Sequence, residues 1–282
     1  MTSKALHIIN GDYYAGAERV QDLLALNLPN MGYEIGFVCL KKGLFPEKRV
    51  VKTAPLYEFP MRSKLDISFV FRLSGLVRRE GYRLIHTHSP RAAMVGRLVA
   101  GLTGLPMIHH LHSPTTEDTE AGWRNRRNSM AEKLALRGAK TIIAVSGTLE
   151  NYLLTRGYRR DSVRVVANGV PTRLKMRRAR KPGEEMVVGM VALFRPRKGL
   201  EVLLSAIAQL RQRGLAVRLH AVGPFETTQY REHILRLADK LGLADEITWT
   251  GFSGDVFAEF SKMHAFVLPS LYGEGMPMVI LE

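Results

Sequence analysis

The sequence predicts an α/β protein built from two doubly wound parallel sheets. Short runs of β-forming apolar residues alternate with amphipathic helical stretches, the pattern of a parallel sheet with helices on both faces. The alternation breaks near residue 170 and restarts, and 282 residues leave room for two domains with a core each. In the first half, strands are expected at about 5–10, 35–40, 84–88, 107–111, 141–145 and 163–166, with helices in most gaps. Val20, Leu23, Leu24 and Asn27 mark one helix by their spacing, and Met94, Leu98 and Leu102 mark another.

The break, NGVPTRLKMRRARKPGEE, combines Pro, Gly and clustered Arg and Lys, as suits an exposed connector. These signals set an N-terminal domain at 1–170, a basic linker at 171–183 and a C-terminal domain at 184–282. After the linker come a strand, MVVGMVAL, a helix over 199–213 with Leu200, Leu203, Leu204, Ile207 and Leu210 on one face, and a strand, VRLHAVG. A helix around 230–241, a strand at 247–250, a short helix after Gly254, a strand at 265–268 and a helix start at Pro277 follow. The last residues, PMVILE, read as the first turns of a buried helix without a polar end, so the expectation is a chain truncated within its second domain.

Hydrophobic residues at 46 % and charged residues at 24 % exclude a disordered or fibrous chain. The single cysteine, Cys39, cannot form an internal disulfide, and within IGFVCL it reads as a small buried hydrophobe of a reducing cytoplasm. No run approaches the roughly 18 apolar residues of a membrane span. The net charge of +15 is unevenly placed. Residues 1–170 carry 25 basic against 14 acidic side chains, the linker six basic and none acidic, and 184–282 ten basic against twelve acidic. Only the first half and the linker therefore seek an anionic partner. A nucleic-acid groove would interleave aromatics with the basic residues, and the linker has none, so no nucleic acid is expected.

Four places carry candidate chemistry. In the turn NGDYYAGAERV, Gly11 and Gly16 stand between a strand and a helix start, as an anion site or an ordinary βα turn would have them. His86 and His88 in HTHSP, and His109, His110 and His112 in HHLHSP, fall at the carboxyl ends of expected strands, where ligands of open α/β sheets bind. The two-residue alternation puts His86 with His88, and His110 with His112, on shared faces, which also suits a metal, with Glu117, Asp118 and Glu120 available nearby. In ALFRPRKGLEVLL, Arg195, Arg197 and Lys198 precede a helix opened by Gly199, a cationic grip for a diphosphate. In LPSLYGEGMPMVILE, Glu274 and Glu282 flank a Gly-rich loop and could accept hydrogen bonds from sugar and ribose hydroxyls.

Together these features resemble the retaining glycosyltransferases of family 4, which have the GT-B fold of two Rossmann-like domains facing across a cleft. EGMPMVILE is similar to that family's E-x7-E signature, and ANGV at 167–170 to its strand-end Asn-Gly. The resemblance implies transfer of a sugar, with retention and without a metal or other cofactor, from a nucleotide diphosphate sugar such as a UDP- or GDP-sugar to a hydroxyl acceptor. The setting it implies is synthesis of cell-surface polysaccharide, lipopolysaccharide or glycolipid. Carried over, it makes His112 and Glu274 catalytic, and Gly16, Arg195, Lys198, Gly275, Met276 and Glu282 donor-binding. His86 and His88 are left as acceptor-side candidates. One departure is Leu193, which stands where the family has an Arg; Arg195 or Arg197 is the substitute. The basic first half fits a possibly lipid-linked acceptor at an anionic membrane surface, with the protein cytoplasmic and peripheral on its inner face. Two other readings are a truncated, inactive relic of such an enzyme and a metal-dependent hydrolase using the histidines.

Overall fold

The computed structural model describes residues 2–63, 66–114, 130, 132–172, 181 and 183–282. Most of the expected basic linker and the acidic residues 117, 118 and 120 lie outside them. The chain divides into two compact units, Met1–Gly169 with Gly273–Met278, and Val170–Tyr272 with Val279–Glu282.

The first unit holds a seven-stranded sheet in the order β3-β2-β1-β4-β5-β6-β7. Its strands are β1 Ser3–Ile9, β2 Tyr33–Cys39, β3 Leu56–Glu58, β4 Leu84–Thr87, β5 Met107–Leu111, β6 Thr141–Ala144 and β7 Val163–Val165, all parallel. Side chains alternate between the two faces. Leu6, Ile8 and Ile85 pack with the helices Val70–Arg79 and Pro90–Thr103 in one core, whereas Ala5, Ile9, Ile35 and Phe37 pack with Ala25 of the helix Gly16–Asn27 in another. Cys39 belongs to the second core, and burial pushes its thiol up to about 12, the chemistry of an inert hydrophobe. The three-residue β3 was not expected, because it is too short to show a period.

The second unit holds a four-stranded parallel sheet, β10-β9-β8-β11, from β8 Met186–Val191, β9 Val217–Val222, β10 Ile247–Gly251 and β11 Ala265–Phe266. Val188, Met190, Leu219 and Ala221 pack against Leu203, Leu204 and Ile207 of the helix Leu200–Gln212 and Ile234 of the helix Thr228–Lys240.

In each sheet the strand order reverses once, between β1 and β4 and between β8 and β11. Loops leaving the carboxyl ends of such a strand pair run in opposite directions and open a crevice. Those two crevices position the candidate residues.

Helix Pro90–Thr103 lies close to the sheet because Gly96 has no side chain: a Cβ there would come 2.3 Å from Thr87 Cγ2 and 3.3 Å from Ile85 Cγ2. Gly96→Val is expected to lower unfolding stability by about 1–3 kcal/mol through overpacking, read as a shifted urea midpoint. An unchanged midpoint would show that this approach is not tight.

Candidate active site

At the β1–β4 crevice, Ser89 Oγ donates to Asn10 Oδ1 at 3.1 Å, tying together the two loops that leave the reversal. Ser89 also caps the helix Pro90–Thr103 by accepting from Ala92 N. Beneath these loops lies a cluster of five imidazoles from three neighbouring strands and the residues just after them. The register sets His7 of β1 beside His86 of β4, and alternation brings His88, His110 and His112 to the same face. The rings of His86 and His88 lie 4.1 Å apart, and those of His110 and His112 stack at 4.3 Å. His88 Nδ1 is 3.1 Å from His112 Nε2, and His88 Nε2 is 3.0 Å from His7 Nδ1.

The structure thus brings together His86, His88, His110 and His112 as their spacing suggests. It sends His109 to the opposite face, where its Nδ1 is 2.8 Å from Thr87 Oγ1. It adds His7, which lay within an expected strand but stood alone in the sequence. His86 and His88 are only 6 % and 7 % exposed, while His112 is half-buried.

Two sets of ring nitrogens, His7 with His86 and His88, and His88 with His110 and His112, lie within 4.8 Å of one another, close enough for a metal. His88 belongs to both sets, and each of its nitrogens already faces another imidazole at hydrogen-bond distance.

The Gly-rich loop Gly273–Met278 belongs to the same unit as this cluster. A Cβ on Gly275 would lie 2.2 Å from the His112 carbonyl oxygen and 2.8 Å from Leu149 Cδ1, so only glycine lets the loop lie on His112. Asn168, from the ANGV stretch, donates through Nδ2 to the Met276 carbonyl at 3.0 Å, and its backbone N–H donates to Met276 Sδ at 3.2 Å. The sequence marked Asn168 only as part of a motif; the structure shows that it holds the loop. The residue after Glu274, Gly275, thus lies against the backbone of His112, 163 positions earlier in the chain. A Cβ on Gly16, which opens its helix, would lie 3.6 Å from Met278 Cγ. Glu18 accepts from Ala15 N at 3.3 Å, so this helix start already holds a carboxylate of its own.

In the second unit, the loops that leave the β8–β11 pair are held together by backbone contacts. Leu271 N donates to the Arg197 carbonyl at 2.9 Å, and a Cβ on Gly199 (φ 69°) would lie 2.1 Å from the Pro269 carbonyl oxygen. Arg197 is 9 % exposed and donates through Nη1 to the Tyr272 carbonyl at 3.2 Å, so it anchors the loop after β11. Arg195 pairs with Glu226 at 3.1 Å. Lys198 ends the short turn Pro196–Lys198, directly before Gly199 and the helix Leu200–Gln212. Glu282 follows the short helix Met278–Leu281.

Burial in contact with like groups keeps the imidazoles neutral. It brings His7 and His109 down to about 3 and His110 to about 4, and holds His86, His88 and His112 well below their ordinary 6.5. An unfolded imidazole takes its proton near 6.5 and the folded one only far below, so the stability is whole above 6.5 and is lost as pH falls toward 4. The urea midpoint is expected to fall between pH 7 and pH 5, each such histidine contributing up to about 1.4 kcal/mol per pH unit. His110→Phe should flatten that slope; a midpoint independent of pH would contradict a buried neutral cluster.

Residues 14–174 match the family described as Glycosyltransferase Family 4, and residues 172–282 match Glycosyl transferases group 1. A relative in Escherichia coli, UDP-Gal:alpha-D-GlcNAc-diphosphoundecaprenol alpha-1,3-galactosyltransferase, is 22 % identical over 296 residues covering 99 % of this chain and 76 % of that protein. The capsular polysaccharide biosynthesis glycosyltransferase CapM of Staphylococcus aureus is 22 % identical over 232 residues, 77 % of this chain and 60 % of that one. The crystal structure of HepE from Anabaena, in complex with UDP and glucose, shares the fold with a TM-score of 0.79 at 20 % identity, over 99 % of this chain and 77 % of that one. The first family match takes in more than half of the sequence, and the chain belongs to glycosyltransferase family 4 with the GT-B fold.

Proposed function

We propose that this glycosyltransferase moves a sugar from a nucleotide diphosphate sugar, a UDP- or GDP-sugar, to a hydroxyl acceptor with retention and without a metal. The observation that carries this reading is the seating of the Gly275 loop on the His112 backbone, which supports a shared role for the Glu274 carboxylate and the His112 imidazole from distant parts of the chain. The leaving diphosphate develops negative charge. Lys198, Arg195 and the backbone N–H groups of the loop at Gly275 and Met276 offset it, as preorganised donors do where charge appears in a transition state. Arg197 serves by holding the Tyr272 carbonyl, and Arg195 shares its charge with Glu226. Glu282 receives the ribose hydroxyls, and Gly16 lets its turn approach the donor. His112 hydrogen-bonds the reacting sugar, the acceptor hydroxyl attacks on the face the diphosphate leaves, and a phosphate oxygen takes the proton.

The names of two relatives, a galactosyltransferase acting on a diphosphoundecaprenol-linked sugar and a capsular polysaccharide enzyme, support an acceptor in cell-surface glycan synthesis. The excess of basic side chains in residues 1–170 supports its presentation at an anionic membrane surface, with the protein peripheral on the cytoplasmic side. No helix among the described residues is long and apolar enough to cross a membrane.

A panel of UDP- and GDP-sugars with a lipid-diphosphate-linked sugar acceptor tests the reading. His112→Ala, Glu274→Gln and Lys198→Ala are each expected to lower turnover by about 100-fold or more while leaving the urea midpoint near its parent value. Wild-type turnover in any of the three removes that residue from the mechanism. NMR of the first-formed product should show the donor's anomeric configuration, and EDTA should leave the rate unchanged; inversion or loss of activity in EDTA would contradict retention or metal independence respectively.

A further inference from the structure

The contacts of His88 say more than that it is buried. A neutral imidazole donates at one ring nitrogen and accepts at the other, and the His88 nitrogens face His7 Nδ1 at 3.0 Å and His112 Nε2 at 3.1 Å. The two hydrogen bonds must therefore run in the same direction along the row of three rings. If they run toward His7, His112 Nε2–H donates to His88, His88 Nε2–H donates to His7 Nδ1, and the His7 proton is left on Nε2. That nitrogen is buried and has no partner among the described residues. If they run toward His112, His7 Nδ1–H donates to His88 Nε2, and His88 Nδ1–H donates to His112 Nε2. Only a lone pair is then left at His7 Nε2. A buried N–H without an acceptor is the rarer and costlier of the two outcomes.

We propose that His7 and His88 are positioning residues that fix His112 as its Nδ1–H tautomer, a hydrogen-bond donor for a hydroxyl of the transferred sugar. The substrate side of this inference rests on the reading of His112 given above; the tautomer does not. The neighbouring rings hold the planes in place. His110 stacks on His112 with 25° between planes, and His86 meets His7 edge-on at 4.4 Å. A metal in either three-histidine set would need a His88 nitrogen as ligand and would break the row of hydrogen bonds.

The test is long-range proton–nitrogen NMR on the full chain labelled with 15N-histidine at pH 7.5, with the His112 signals assigned by their loss in His112→Asn. The expected spectrum has a protonated Nδ1 and an unprotonated Nε2 at His112. His88→Gln keeps an amide oxygen to accept from His7 and an amide N–H to donate to His112, so the tautomer should persist. His88→Leu removes both bonds; His112 should pass to a mixture of tautomers and turnover should fall by about tenfold, the effect of one lost hydrogen bond. His88→Gln should recover most of that loss. A His112 protonated at Nε2 in the wild type overturns the proposal, as does a stoichiometric metal in the purified protein. So does a His88→Leu variant with wild-type tautomer and rate. If His88→Leu does not fold, the wild-type spectrum alone decides. Unchanged turnover in His112→Ala would instead remove the sugar contact and leave the tautomer assignment standing.

Discussion

The structure depends on a constraint of parallel sheets. Neighbouring parallel strands cannot be joined by a hairpin, so each crossover passes over a face of the sheet, and where the strand order reverses two loops separate at the carboxyl edge. The first sheet reverses between β1 and β4, and the second between β8 and β11. Asn10, His88 and Ser89 follow the first pair; Arg195, Arg197, Lys198 and Pro269 to Tyr272 follow the second. The candidate chemistry gathers at the two places where topology leaves the backbone open.

Glycine and histidine serve that constraint in different ways. Gly275 and Gly199 mark backbone set against backbone, at the His112 and Pro269 carbonyls, where any side chain would force the loops apart. The five imidazoles do the reverse and fill the face below the β1–β4 crevice with polar rings. Burial makes protonation unfavourable there, so the cluster is held as neutral donors and acceptors. The cost is an unpartnered nitrogen on each of His7 and His86 and two on His110 among the described residues.

Much of this was legible in the sequence. Long periodic elements came through: the helix expected over 199–213 is Leu200–Gln212, and the strand expected at 107–111 is Met107–Leu111. Alternation correctly paired His86 with His88 and His110 with His112. It could not bring in His7, whose place beside His86 is fixed by strand order and register between positions 79 apart. The same alternation turns His109 away from His110 and His112, and the structure sets it against Thr87 on the other face. Asn168 and Arg197 act through carbonyls of Met276 and Tyr272, and a residue whose partner is distant backbone leaves no local pattern. Leu193 left two arginines as substitutes for the family's basic residue; the structure gives them different partners, Glu226 for Arg195 and a loop carbonyl for Arg197.

The proposed transfer requires that the β8–β11 crevice receive the nucleotide diphosphate. Titration of the 15N-labelled chain with UDP and with GDP, followed by amide NMR, tests it most directly. Saturable shifts at Lys198, Gly199 and Ser270 are expected with at least one of the two nucleotides. Shifts confined to the depression lined by Arg218, Thr248 and Lys262 on the neighbouring β9–β10 side, or no binding of either nucleotide, would contradict it.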